Sequence, residues 1–275
     1  MLFGVSCANL GAVRKFAKTS AATADYEEVV ADYVGSPRRL LRYQPEDQQD
    51  ALKKSYETRK AQQPRLKAVQ QVLVGYMDAL GDLAADEVPG IDDEVDAFSK
   101  ALDGAGFIGD GDQKVGKETA TAATAIAKLL GRAILDGWRQ AKLKKMVEEG
   151  DKPLQTAVAG LKGLLGKDLR ASLENESVAV QKPFKAWTAA ATSSNDPDGA
   201  PPVARILLDE HLEAVRARQR RLESYLQVLD AIAEGHAELV TNIERLDRDE
   251  VTKKLDGYTK NLKATYAAMD ALTKQ

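Results

Sequence analysis

Few side chains in this 275-residue sequence could do chemistry, and those that could are far apart. There is one cysteine, Cys7, and there are two histidines, His211 and His236. A single cysteine excludes an internal disulfide and a cysteine-rich zinc site, and neither histidine has the neighbours of a metal-binding motif. No nucleophile, base and orienting acid can be recognised from spacing. We therefore predict no metal, no cofactor, no catalytic residues and no enzymatic activity.

His236 is the histidine that falls within an apolar helical stripe. A functional interpretation would make it a pH-sensitive switch or a ligand. A structural interpretation makes it a hydrogen-bonded core residue that sets helix register, as a buried Asn does in a coiled coil. We favour the structural interpretation, and we expect His211, which follows Glu210, to lie on the surface.

Arginines occur in two runs, one after the first predicted helix and one within a later helix. Such runs can contact anionic lipid headgroups or acidic partners. Acidic residues interleave with the second run, however, which is typical of a solvated helix face. The candidate contacts to an anionic surface are Arg38, Arg39, Arg42, Arg216 and Arg220.

The glycine-rich stretch 104–116 precedes Lys117 and could suggest a phosphate-binding loop. A P-loop requires Ser or Thr after the lysine and a strand before the loop, whereas Glu118 follows here and helix precedes it. The acidic stretch 92–96 lacks the ligand spacing of an EF-hand. We interpret these two segments as a connector and a helix start.

Charge and composition exclude other classes of protein. Lys plus Arg number 39 against 42 for Asp plus Glu, so no bulk basic field favours nucleic acid as a partner. Apolar residues make up 44% and aromatics only 5%, with residues that favour helices dominating, so we predict an all-α fold. The apolar stretch 119–138 contains Lys128 and Arg132, and we predict that it does not span a membrane.

Apolar residues recur at three- and four-residue spacing along most of the chain. They predict one helix over 8–34 that ends at Gly35-Ser36-Pro37, and a second to about Ala85 with a kink at Pro64. Later segments predict helices over 91–102 and 117–149, a helix start at Asp151-Lys152-Pro153, and helix up to Thr188 interrupted by Pro183. A loop is predicted over 192–202.

The most regular periodicity lies beyond that loop. Apolar positions alternate by three and four from Leu208 to Leu246, which is the spacing of a coiled-coil seam, and a second stripe runs from Val251 to Leu272. These stripes predict an antiparallel coiled-coil hairpin over 203–275 that packs on a helical bundle over 8–191. The expected architecture is an elongated all-α bundle of long amphipathic helices.

Residues Leu2-Phe3-Gly4-Val5-Ser6-Cys7 resemble the end of a bacterial lipoprotein signal, in which the cysteine thiol receives the lipid. Gly4 stands where Leu is usual, and the apolar run is shorter than a working signal needs. We therefore expect residues 1–7 to be the remnant of a longer signal or anchor, with lipidation at Cys7. The alternative is that Cys7 is a small hydrophobe at a helix start.

The chain also resembles a loose group of uncharacterised all-helical envelope lipoproteins of bacteria. The resemblance rests on Cys7, on the stretch Tyr33 to Arg39, on Tyr76 to Ala84 and on Trp138 to Lys142. It implies a membrane-tethered protein of the periplasm and no particular activity. A cytoplasmic location is the alternative.

These observations lead to a functional expectation. We expect a non-enzymatic, envelope-associated helical interaction or spacer protein, lipid-anchored at Cys7, with an unidentified protein partner and with homo-oligomerisation as an option. One alternative is a helical dimer of BAR-like character that binds membrane surfaces through the arginines. Another is an enzyme whose site assembles only in three dimensions.

Overall fold

A computed structural model describes residues 10–85, 113–135, 140–193 and 202–273. Within these ranges the protein is all-α, with no strand, and this confirms the predicted helical bundle. A π-helical turn at Leu165–Leu169 joins the fifth and sixth helices. The helices are α1 Gly11–Ala24, α2 Glu27–Leu40, α3 Asp50–Ala84, α4 Gln113–Leu135, α5 Gln140–Leu164, α6 Arg170–Ser193, α7 Pro202–Thr241 and α8 Asp249–Thr273.

One apolar core runs through the bundle and takes residues from all eight described helices. Helix α1 packs between α3 and α8, α4 packs along α5, and α7 packs along α8. At 1.5 Å per residue the 40 residues of α7 extend about 60 Å, so the bundle is elongated. The hairpin of α7 and α8 contributes to this core, and α8 also contacts α1.

The single helix predicted over 8–34 is wrong, because the chain breaks at Asp25 and Tyr26. Tyr26 is buried and not helical, and the amide nitrogen of Gln70 donates to the carbonyl oxygens of Ala24 and Tyr26 at 2.8 and 2.9 Å. These bonds satisfy carbonyl groups at the break between two helices. A long-range side chain therefore stabilises a break that local periodicity does not show.

The predicted helix end at Gly35-Ser36-Pro37 is also wrong, since α2 continues through Pro37 to Leu40. Pro37 has no N–H to donate to the carbonyl of Tyr33, four residues earlier. The hydroxyl of Ser36 and Nη1 of Arg59 donate to that oxygen instead, at 3.0 and 3.1 Å. The proline is tolerated because other donors replace its missing one.

The helix start predicted at Asp151-Lys152-Pro153 does not exist, because α5 runs unbroken from Gln140 to Leu164. Val147 before Pro153 and Leu154 and Leu161 after it are all buried in the same core. Burial of this continuous stripe offsets the cost of about 3 kcal/mol for an internal proline. Helix α6 likewise continues through Pro183.

Other predicted boundaries fall partly outside the described residues. The helix predicted over 91–102 lies outside them, as do most of the connector 104–116 and positions 194–201 of the predicted loop. The end of the connector is helical, since α4 begins at Gln113. Helix α3 extends from Asp50 to Ala84 as predicted, and the kink at Pro64 stays a prediction.

The C-terminal hairpin is confirmed as antiparallel. Lys254 on α8 pairs with Glu238 near the turn, at 2.8 Å, and Nη1 of Arg221 donates to the carbonyl of Leu272 at the far end, at 3.3 Å. Leu229 and Leu262 are both fully buried, as their positions in the two stripes predict. Helix α7 ends at Thr241, a little before the predicted stripe does.

Candidate functional site

His236 is fully buried on α7, between α3 and α5, and hydrogen-bonded at both ring nitrogens. Its Nε2 lies 2.7 Å from the hydroxyl oxygen of Tyr76, and its Nδ1 lies 3.0 Å from Oδ1 of Asp151. The Tyr76 hydroxyl also lies 3.0 Å from the carbonyl oxygen of Met146, to which it can donate. The prediction of a hydrogen-bonded core histidine is confirmed. We call these three side chains the Tyr–His–Asp cluster.

A glycine on α5 makes room for this cluster. A Cβ atom at Gly150 would lie 2.1 Å from the Tyr76 hydroxyl oxygen, so the phenol occupies the space of a side chain. Gln155 completes the surroundings, because its amide nitrogen donates to Asp151 at 3.2 Å and to the carbonyl of Ala233 at 2.9 Å. The cluster therefore depends on close approach of α3, α5 and α7.

Burial and hydrogen bonds shift two of the ionisable groups in opposite directions. The hydrogen bond from His236 lowers the pKa of Asp151, against a smaller opposing effect of burial. Burial, and then the negative charge of Asp151, raise the pKa of Tyr76 well above its ordinary value. Tyr76 is consequently a neutral phenol and Asp151 a carboxylate near neutral pH.

Burial restricts the access of any substrate to the Tyr–His–Asp cluster. Tyr76 and His236 are fully buried, while the side chain of Asp151 is 31% exposed. A substrate could reach Tyr76 or His236 only if the helices separated. In the folded protein the cluster holds α3, α5 and α7 together and meets solvent through Asp151.

A second polar cluster lies where α2, α3, α6 and α7 meet. We call it the arginine cluster: Arg39, Arg59, Arg218 and Arg221 with the carboxylates of Asp32 and Glu176. Nε of Arg39 lies 2.9 Å and Nη1 of Arg218 lies 3.3 Å from Glu176. Nη2 of Arg221 lies 2.7 Å from Asp32, which is also within 3.4 Å of Nε of Arg218.

Arg59 has only neutral acceptors in this cluster. Its Nη1 donates to the carbonyl of Tyr33 at 3.1 Å, to Oγ of Ser36 at 2.7 Å and to Oγ of Ser172 at 3.2 Å. Its guanidinium carbon lies 4.4 Å from the centre of the Tyr33 ring, which is within the range of a cation–π contact. No carboxylate of the described residues forms an ion pair with it.

The arginine cluster is crowded with positive charge. Burial, followed by the neighbouring guanidinium of Arg39, lowers the pKa of Arg218 below its ordinary value, against the opposing effect of Glu176 and Asp32. Glu176 is itself almost completely buried. Two carboxylates are therefore shared among several cations.

The structure separates the arginines that the sequence grouped as anionic-surface contacts. The prediction that Arg39 contacts an anionic surface is wrong. Its side chain lies in the arginine cluster, within ion-pair distance of Glu176 and Asp32. Arg38 and Arg42 are exposed, and their contact with an anionic surface stays a prediction. Arg216 and Arg220 are exposed too, but both pair with Glu213. Cys7 lies outside the described residues.

Sequence reasoning missed Tyr76, Asp32, Arg59 and Glu176. A signal was present, since each occurs in helical register with buried residues of its own helix. Arg59, for example, is one turn before Gln62 and two turns before Leu66, and all three are buried. A polar side chain within an apolar helical stripe is therefore the signal that could have identified these positions, and the same signal identified His236.

A groove and a pair of exposed apolar side chains lie on the described surface. A groove of about 710 Å³ runs between α5, α6 and α7 over Gly163, Gly166 and Leu226. Ile206 and Leu207, on the first turns of α7, are 58% and 44% exposed. No described helix is both long and apolar enough to cross a membrane, and the described ranges contain no group of three or more metal-binding side chains.

Comparisons with known proteins add no relative. No family model matches the chain, and neither a curated protein nor a solved structure matches it.

Proposed function

We propose that this chain is a non-catalytic helical interaction or spacer protein of the bacterial envelope, tethered in its native precursor by a lipid on Cys7. One observation carries the proposal. The polar side chains capable of chemistry are used to join helices that are distant in sequence: the Tyr–His–Asp cluster joins α3, α5 and α7, and the arginine cluster joins α2, α3, α6 and α7. Such contacts favour a stiff body, because satisfied buried polar networks rigidify the helices that they join.

The partner-binding surface in this proposal is the start of α7. Ile206 and Leu207 are exposed there, and the first residues of the seam, Leu208 and Leu212, are only partly covered. Exposed apolar residues that are contiguous mark interaction surfaces more often than scattered ones do. A protein partner, or a second copy of the chain, would bury them.

The tether is tested with the full native gene expressed in its own cell. We expect the protein to label with a fatty-acid probe and to fractionate with membranes, because the Cys7 thiol would carry the lipid. Cys7→Ser should abolish both, while Lys260→Ala, on the exposed face of α8, should abolish neither. A native protein that stays unlabelled and soluble rejects the tether.

The contact surface is tested separately, by placing a photo-crosslinking residue at Ile206 or, as a control, at the exposed Lys260 of α8. A discrete crosslinked product from position 206 alone supports contact through the start of α7. Identical products from both positions contradict it.

A second candidate is a membrane-surface-binding dimer. It is favoured by Arg38 and Arg42, which are exposed and pair with no carboxylate of the described residues. This candidate predicts that the protein sediments with anionic vesicles. The double variant Arg38→Gln, Arg42→Gln should no longer do so. Equal sedimentation with neutral and anionic vesicles would reject it.

A further inference from the structure

Cations outnumber anions in the arginine cluster. The guanidinium groups of Arg39, Arg218 and Arg221 share the two carboxylates of Asp32 and Glu176. Arg59 adds a fourth guanidinium, which contacts only neutral acceptors, so four cations stand against two anions and two positive charges are in excess. Buried charges are normally paired, because transfer of an unpaired ion out of water is costly. The excess therefore needs a source of negative charge.

Hydrogen-bond donors are in excess as well. Nε of Arg59, Nε2 of Gln62 and Nε of Arg221 are buried, and none has an acceptor within hydrogen-bond distance in the described protein. Arg59 and Gln62 are only 8% and 5% exposed, and they lie one turn apart on the same face of α3. Arg59 and Arg221 belong to the arginine cluster, and the unpartnered atom of each is a nitrogen donor, so the cluster lacks acceptors.

We propose that the arginine cluster binds a doubly charged oxyanion of the phosphate class. A dianion balances the two excess charges, whereas a single carboxylate would balance only one. Guanidinium edges match the oxygens of phosphate, and charge-assisted bonds to them are strong. The ligand is either free phosphate or the phosphomonoester of a lipid headgroup, which present the same chemistry.

One edge of the Arg59 guanidinium is free to bind such a ligand. Its three neutral acceptors all contact Nη1, so the Nε edge of the guanidinium is left without a partner. The cluster reaches solvent through Arg39 and Arg218, whose side chains are 19% and 23% exposed. This inference does not depend on lipidation at Cys7.

The test measures thermal unfolding of the full chain at pH 8 and constant ionic strength, with chloride, acetate or phosphate as the anion. Phosphate is mainly a dianion at this pH, since its second pKa lies near 6 to 7. We expect a saturable rise in Tm with phosphate that chloride and acetate do not produce, because a ligand that binds only the folded state stabilises it. Coincident curves for the three anions would overturn the proposal.

Two variants locate the site without removing the structural contacts of Arg59. Arg221→Gln and Arg218→Gln should each raise the Kd for phosphate by about tenfold, because each removes a charged donor of the cluster. Arg216→Gln, a matched arginine variant on the exposed face of α7, should leave the Kd unchanged. A phosphate Kd that is the same in all three variants and the parent would show that binding occurs elsewhere.

Vesicles distinguish the two sources of the phosphate group. Pelleting with phosphatidate but not phosphatidylcholine vesicles, reversed by free phosphate, supports the site with a lipid headgroup as ligand. Saturable phosphate binding without pelleting supports the site with free phosphate as ligand.

Discussion

At the scale of single residues, two buried polar clusters show how helices can be held together by side chains that also carry charge. Tyr76 contacts α7 through its hydroxyl, and His236 contacts α5 through Nδ1. A buried polar group that loses its partner costs about 1–3 kcal/mol, which is a large part of a typical folding free energy. These residues are therefore important for stability even though they touch no known ligand.

The first residue-scale prediction concerns pH. The hydrogen bond from His236 lowers the pKa of Asp151 in the folded state below its value in the unfolded chain. The resulting stabilisation is fully present above the unfolded pKa of about 3.9 and is lost as pH falls through the lower folded pKa. We expect the free energy of unfolding to fall between about pH 5 and pH 2, and Asp151→Asn to reduce that fall.

The measurement is denaturant unfolding of both proteins across that pH range. Asp209→Asn, at an exposed position of α7, serves as the matched control and should keep the parent's pH dependence. If Asp151→Asn keeps it as well, then Asp151 does not contribute in this way.

At the scale of elements, glycines permit close helix packing where aromatic side chains insert. A Cβ atom at Gly235 on α7 would lie 2.2 Å from the ring of the buried Phe16, whereas Gly257 on α8 has no neighbour within 4 Å. We expect Gly235→Ala to destabilise the protein by about 1–3 kcal/mol through overpacking.

Gly257→Ala should have the opposite sign, stabilising by about 0.5–1 kcal/mol, because alanine favours an exposed helix interior more than glycine does. Equilibrium denaturation of both variants checks the pair. Equal effects at the two positions would contradict the packing of Phe16 against Gly235.

A further element-scale prediction concerns the hairpin. Leu229→Ala and Leu262→Ala should each cost about 2–5 kcal/mol, because both side chains are fully buried between α7 and its neighbours. Lys260→Ala, on the exposed face of α8, should change the unfolding free energy by less than about 0.5 kcal/mol. Similar denaturation midpoints for Leu229→Ala and Lys260→Ala would place the buried face elsewhere.

Elements were predictable where periodicity alone decides them. The stripes of α3, α7 and α8 are long and regular, so their existence and buried faces follow from sequence spacing. The break at Asp25 and the continuation through Pro37 were not predictable in this way. Both depend on donors from another helix, Gln70 and Arg59, and local spacing contains no information about them.

At the scale of the whole molecule, the two clusters bring together parts of the chain that are far apart in sequence. His236 lies 160 positions from Tyr76, and Arg221 lies 189 positions from Asp32. The sequence identified His236 and the two arginine runs as unusual, but partners at such separations require the fold. For the same reason Arg39 was predicted to face a surface and instead pairs with Glu176.

The Tyr–His–Asp cluster stabilises the packing of α3, α5 and α7 through its buried hydrogen bonds. A double-mutant cycle on Tyr76→Phe and His236→Leu tests this role most directly. Unfolding free energies of the parent, both single variants and the double variant give the coupling energy. We predict that each single variant costs about 1–3 kcal/mol and that the coupling lies between about 0.5 and 3 kcal/mol, because the two side chains share one buried hydrogen bond. If the losses of unfolding free energy in the two single variants add up to that of the double variant within about 0.3 kcal/mol, then Tyr76 and His236 do not stabilise the packing through a shared bond.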